Sequence, residues 1–135
     1  MNGCIQISTE KEKLDIGLIY DFLSASYWGK EYTLDTVRNS VKNSLCFGIY
    51  KDGKQIGFAR VLTDYTRLAY LADVFVIENY RNQGLGKMLL EHIFSFPELV
   101  GVKRWLLATA DAVGLYQKFG FRTLSNPERY MEKRN

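Results

Sequence analysis

Apolar residues change their spacing several times along this chain, and each change marks an element. Cys4-Ile5-Gln6-Ile7-Ser8 alternates apolar and polar positions, the pattern of a half-buried edge strand. Leu14, Leu18, Phe22 and Leu23 then recur at helical spacing, which predicts a first helix ending near Tyr27-Trp28-Gly29. Thr33 can cap a second helix that carries Leu34, Val37 and Val41 on one face. Leu45 to Tyr50 reads as a strand, Asp52-Gly53 as a tight hairpin turn, and Gln55 to Thr63 as the partner strand. After a turn over Asp64 to Arg67, the run Leu68 to Ile77 is apolar on both faces, as expected of a strand inside a sheet.

The period then returns to helical. Leu85, Met88, Leu89, Ile93 and Phe96 predict a helix beginning just after Gly84, with Pro97 helping to end it. Arg104 to Thr109 reads as another strand. A short helix follows from Asp111, with Ala112, Leu115 and Phe119 facing inward and Gly120 as its stop. Tyr130-Met131-Glu132 reads as a final strand. This order predicts an α/β chain, a mixed sheet with helices on both faces.

At 135 residues, without an internal repeat or a proline-rich linker, the chain reads as a single domain over 1–135. Its composition, 47% hydrophobic and 24% charged, is that of a globular protein. No apolar run is long enough to span a bilayer, and the start lacks the basic and apolar blocks of a secretory leader. The two cysteines, Cys4 and Cys46, lie far apart and match neither a metal spacing nor a disulfide framework. The expectation is therefore a cytoplasmic protein with no metal and no membrane partner. A net charge of +3, with basic residues scattered rather than in a stripe, suits an anionic ligand better than nucleic acid.

The informative segment runs from Val74 to Lys87. A buried strand, Val74-Phe75-Val76, delivers the chain into a basic, amide-rich turn, Arg81-Asn82-Gln83-Gly84-Leu85-Gly86-Lys87, and a helix begins there at once. Unpaired N–H groups at such a helix start carry the positive end of the dipole, and glycine lets backbone approach a phosphate closely. A diphosphate is the natural occupant. A Walker loop would need glycine where Arg81 stands and Ser or Thr where Met88 stands. A dinucleotide fingerprint would need a third glycine in place of Leu89.

Two motifs carry a resemblance. Arg81-x-x-Gly84-x-Gly86, preceded by Val76-x-x-x-Tyr80, resembles the acetyl-coenzyme A pyrophosphate loop of the GNAT superfamily of N-acetyltransferases. Ala112-x-x-Leu115-Tyr116-Gln117-Lys118-Phe119-Gly120-Phe121 resembles that family's later helix, and the order of elements agrees over almost the whole chain. The family usually has an asparagine before the alanine, and Thr109 replaces it here.

The resemblance implies a central, mostly antiparallel sheet flanked by helices and an enzyme that moves an acetyl group from acetyl-CoA to a primary amine by direct attack. It implies cofactor contacts from Val74, Phe75, Val76, the 81–87 turn, Thr109, Ala112 and Tyr116. A backbone N–H of the 74–76 stretch would hold the oxyanion, and Tyr116 would protonate the leaving thiolate. Tyr116 could equally be a packed helix aromatic. Asp73, the one carboxylate within the apolar strand, is a candidate general base; on simple alternation it shares a face with Leu71 and Phe75. Its competing role is an ion pair with Arg60, and Glu78 is the backup base.

Acceptor contacts are expected from Tyr27, Trp28 and Tyr32 between the first two helices and from Tyr65 in the later turn. These aromatics could also plug the core or a homodimer contact. His92 lies on the apolar stripe of its helix and reads as a packed histidine. The acceptor class is open, with a small-molecule amine favoured over peptide or protein. The main rival is a non-catalytic acyl-CoA-binding sensor on the same fold.

Overall fold

The computed structural model describes residues 3–135. Its strands are β1 (Ile5–Ser8), β2 (Leu45–Lys51), β3 (Lys54–Thr63), β4 (Ala69–Val76) and β5 (Trp105–Leu107). Its helices are α1 (Ile16–Ala25), α2 (Leu34–Lys42), α3 (Leu85–Phe94) and α4 (Val113–Gln117). The five strands form one sheet in the order β1-β2-β3-β4-β5, antiparallel except for the parallel pair β4 and β5. No helix among the described residues is long and apolar enough to cross a membrane.

Local chemistry accounts for the boundaries. Asp15 caps α1 by accepting the Leu18 N–H, and the Thr33 hydroxyl oxygen accepts the Thr36 N–H to cap α2. Asp52 and Gly53 both take positive φ in the β2–β3 hairpin, as a two-residue turn matched to strand twist requires. Each face of the sheet buries its own core. Ile19, Leu23, Val37 and Val41 from α1 and α2 pack with Cys46, Phe58 and Phe75 on one side. Leu85, Leu89, Leu90 and Ile93 from α3 pack with Phe47, Ile49, Val61 and Leu71 on the other, where Tyr116 of α4 joins them.

Several expectations are corrected. Leu34 and Met88, placed on inward faces by their spacing, are exposed. Residues 130–132 form no strand, since nothing among the described residues pairs with them. The largest correction concerns β4. Arg60 lies opposite Ala72 and Phe58 opposite Phe75, so Asp73 and Val74 together face Ala59 alone. This is a β-bulge, and Asp73 carries it with φ +56°, a conformation Asp tolerates better than most residues. The extra residue reverses the alternation. Leu71 therefore packs with α3, whereas Phe75 packs with α1 and α2, and the two do not share a face.

Candidate active site

β4 and β5 are paired only from Ala69 and Trp105 to Leu71 and Leu107. Past the bulge, Phe75 and Val76 keep their partners in β3, with no strand on the β5 side among the described residues, so the two parallel strands part. The gap runs towards the 81–87 turn. Asn82 and Gly84 both adopt positive φ there, +61° and +77°, which turns the chain sharply into α3. None of the backbone N–H groups of residues 82 to 87 meets an acceptor among the described residues. A Cβ built on Gly84 or Gly86 would meet nothing within 4 Å, so the approach to these donors is open. A strand end, a fan of unpaired donors and a helix start thus converge, as an anionic ligand requires.

Arg81 does something the sequence did not signal. Its Nε donates to the Val76 carbonyl oxygen at 2.9 Å, and its guanidinium lies 5.9 Å from the centre of the Phe22 ring. Phe22 is stacked on Phe75 at 4.0 Å. Arg81 therefore ties the glycine turn to β4 and to α1. Lys87 is exposed on the first turn of α3.

Tyr116 is buried on α4, edge-on to Phe121, with its phenol pushed above the ordinary tyrosine value by burial and, secondarily, by the charge of Asp111. It lines a groove of about 1080 Å³ together with Leu107, Ala108 and Thr109, which continue from the point where β4 and β5 part. The Thr109 hydroxyl oxygen accepts the Ala112 N–H at 3.0 Å and so shapes the start of α4. Ala112 is half-buried at that start.

The Asp73 carboxylate is held on both sides. Arg60 Nε donates to Oδ2 at 2.8 Å, and Trp28 Nε1 donates to Oδ1 at 3.4 Å, while Arg60 Nη1 donates to Ser44 Oγ at 3.0 Å. Asp73 and Arg60 also border a small cavity of about 90 Å³ between the α1–α2 layer and the sheet, which Tyr32, Thr36 and Ser40 line with hydroxyls. Of the candidate acceptor residues, Trp28 and Tyr32 thus come together near Asp73, and Tyr27 stands exposed, edge-on to Trp28. Tyr65 does not join them. It sits in the β3–β4 turn with φ +64°, roughly 25 Å of strand away from the glycine turn. Glu78 is exposed, and His92 packs edge-on against Phe47.

Comparison with known proteins places these features in context. The family model described as "Acetyltransferase (GNAT) family" matches residues 9–121. The [ribosomal protein bS18]-alanine N-acetyltransferase of Escherichia coli K12 is 34% identical over 98 residues, covering 68% of this chain and 64% of that protein. A crystal structure from Xanthomonas campestris pv. campestris, described as belonging to the GNAT family, superposes with a TM-score of 0.95 at 41% identity, over 100% of this chain and 96% of that one. The crystal structure of the Escherichia coli ribosomal-protein-S18-alanine N-acetyltransferase gives a TM-score of 0.71 at 25% identity, over 90% of this chain and 80% of that one.

Proposed function

Since the chain belongs to the GNAT family of acetyltransferases, we propose that it transfers an acetyl group from acetyl-CoA to a primary amine, using the gap between β4 and β5. The observation that carries this reading is the run of unpaired N–H groups over residues 82–87 at the mouth of that gap. These donors suit the diphosphate of acetyl-CoA, with Lys87 adding charge at the helix start. Arg81 serves by holding the turn to Val76 and Phe22.

In the gap, the amine lone pair attacks the thioester carbonyl carbon. A C–N bond forms, negative charge gathers on oxygen, and a backbone N–H of Val74–Val76 stabilises it. The C–S bond then breaks, and the Tyr116 O–H gives its proton to the departing sulfur. The nitrogen releases its surplus proton to water, from which Tyr116 is recharged. Burial keeps Tyr116 protonated well above neutral pH, as a proton donor needs to be. Asp73 works as a positioning group, because both of its oxygens are engaged, by Arg60 and Trp28. Trp28 and Tyr32 border the acceptor side.

Thiol release from acetyl-CoA with a panel of amines, beside acetyl-CoA affinity, tests the reading. Tyr116→Phe should lower kcat on the order of 100-fold while the acetyl-CoA Kd stays within about twofold. Acetyl-CoA binding with no turnover for any amine, in wild type and Tyr116→Phe alike, would leave an acyl-CoA sensor instead. Failure to bind acetyl-CoA in preference to ATP or NAD would end the acetyltransferase reading.

A further inference from the structure

The end of α1 reaches both halves of the candidate site. Phe22 is stacked on Phe75 of β4, with ring centroids 4.0 Å apart and planes inclined by 10°. The Arg81 guanidinium lies over the Phe22 ring, 5.9 Å from its centre, while Arg81 Nε donates to the Val76 carbonyl oxygen. The glycine turn is therefore held by the same ring that packs α1 onto the sheet. A short way along the chain, Trp28 Nε1 donates to Asp73 Oδ1 at 3.4 Å. So α1 and the loop after it meet β4 at Phe75 and again at the bulge.

The chain between these two contacts has little slack. The Ser26 N–H and Oγ both donate to the Leu23 carbonyl oxygen, at 3.1 and 2.6 Å. The Gly29 N–H donates to the Ser26 carbonyl oxygen at 3.3 Å, and the Tyr32 N–H to the Gly29 carbonyl oxygen at 3.0 Å. Gly29 is buried against the Leu23 carbonyl so closely that a Cβ there would collide with it. The loop that carries Trp28 is thus folded back onto the last turn of α1, and what fixes Phe22 also fixes the loop.

We propose that Phe22 is a positioning residue shared by the two halves of the site. Through Arg81 it steadies the N–H groups of the 82–87 turn, and through the end of α1 it steadies Trp28 beside Asp73. This inference rests on the acetyl-CoA reading of the turn and adds a coupling between the donor and acceptor sides. A diphosphate in the turn restrains Arg81, and Arg81 restrains the Phe22 ring. The loop behind that ring then has less freedom left to lose when an acceptor arrives. Packed side chains and a short hydrogen-bonded chain carry such a coupling without a large movement. The aromatic ring is essential to it: leucine fills similar space but offers no flat face to Phe75 and no π surface to Arg81. Tyrosine keeps both, and Phe22 is half-buried, which leaves room for the hydroxyl.

The test follows the isotope-labelled full chain by NMR, free and with coenzyme A. The chain has two tryptophans, and Trp105→Phe assigns the indole N–H resonance of Trp28. Without ligand, Phe22→Leu should lower the backbone order parameters of residues 82–87 and 27–32 together, from about 0.85 towards 0.6, and Phe22→Tyr should keep both. With coenzyme A, the wild type should shift the 82–87 amides and the Trp28 indole in step. Phe22→Leu should bind about three- to fivefold more weakly, and its turn should respond while the indole stays still. An indole that follows coenzyme A in Phe22→Leu as it does in the wild type overturns the proposal. Order parameters unchanged in either segment, or Phe22→Tyr behaving like Phe22→Leu, overturn it as well. If coenzyme A shifts no amide of the wild type, the acetyl-CoA reading falls, and the ligand-free comparison alone decides the role of Phe22.

Discussion

The Arg60–Asp73 pair can be perturbed with little disturbance to shape. The two side chains retain only 16% and 8% exposure, and the guanidinium is further tied to Ser44. Removing one partner from such a pair leaves an uncompensated buried charge, which costs about 3–5 kcal/mol. Asp73→Asn isolates that effect, because asparagine tolerates the φ of +56° as readily as aspartate does. Arg60→Met removes the charge while keeping an unbranched stem. Each single substitution should cost about 3 kcal/mol. The double substitution should fall short of additivity by about 2 kcal/mol, since no lone charge is then left.

Urea unfolding followed by tryptophan fluorescence measures all three. Trp28 donates a hydrogen bond to Asp73 and Trp105 lies in β5, so the emission reports on both sides of the sheet. With a slope near 1.5 kcal/mol/M, a loss of about 3 kcal/mol lowers the midpoint by roughly 2 M. If each single substitution costs under about 1 kcal/mol and the two add to within about 0.5, the pair behaves as a solvated contact. The bulge would then be held by something else, and the positioning role given to Asp73 would fail with it.

Three further outcomes are expected. The Tyr50 hydroxyl is buried without a hydrogen-bond partner among the described residues, and its phenol is pushed up to about 12, chiefly by burial. Tyr50→Phe should therefore raise stability by about 1 kcal/mol, seen as a higher Tm. It should also flatten the alkaline loss between about pH 10 and 12, where the unfolded phenol sheds its proton first and wild-type stability falls as pH rises. Cys46 is buried and its thiol is pushed up to about 11, whereas Cys4 is exposed. A disulfide reagent near pH 8 should titrate one thiol per native chain and the second only on unfolding; two fast thiols would contradict the packing of Cys46. Gly84→Ala meets no steric obstacle but must hold φ +77°, so it should cost about 1–2 kcal/mol in thermal unfolding and weaken acetyl-CoA binding.

Local chemistry made much of this molecule legible in advance. The Thr33 cap, the Asp52-Gly53 hairpin and the helix start at Gly84 are decided within a few residues, so they can be read from the chain. The approach of Arg60 to Asp73 was also readable, because both face inward from neighbouring strands. What escaped depends on partners distant in sequence. Leu34 and Met88 lie on the apolar stripes of their helices but beyond the reach of the sheet, so periodicity placed them inside and packing left them out. The guanidinium of Arg81 lies against Phe22, 59 positions earlier, and this contact has no local signature. Tyr130-Met131-Glu132 has the pattern of a strand but no strand partner among the described residues, and pairing is decided by chain distant in sequence.

The bulge at Asp73 links fold to site. Without it, β4 would keep its alternation, Leu71 and Phe75 would enter the same core, and nothing would bring Phe75 to Phe22. The stack of Phe22 on Phe75, with Arg81 above it, exists because the extra residue turned Phe75 toward α1. The same residue marks where β4 leaves β5, since the last paired residue, Leu71, lies just before it. One aspartate with positive φ thus opens the gap between the parallel strands and sets up the anchor that holds the glycine turn at its mouth. A left-handed residue is costly in the middle of a strand unless its surroundings hold it there. Here Arg60 and Trp28 do so from opposite sides, which ties the α1–α2 loop, where acceptor contacts are proposed, to the strand that would carry the acyl donor.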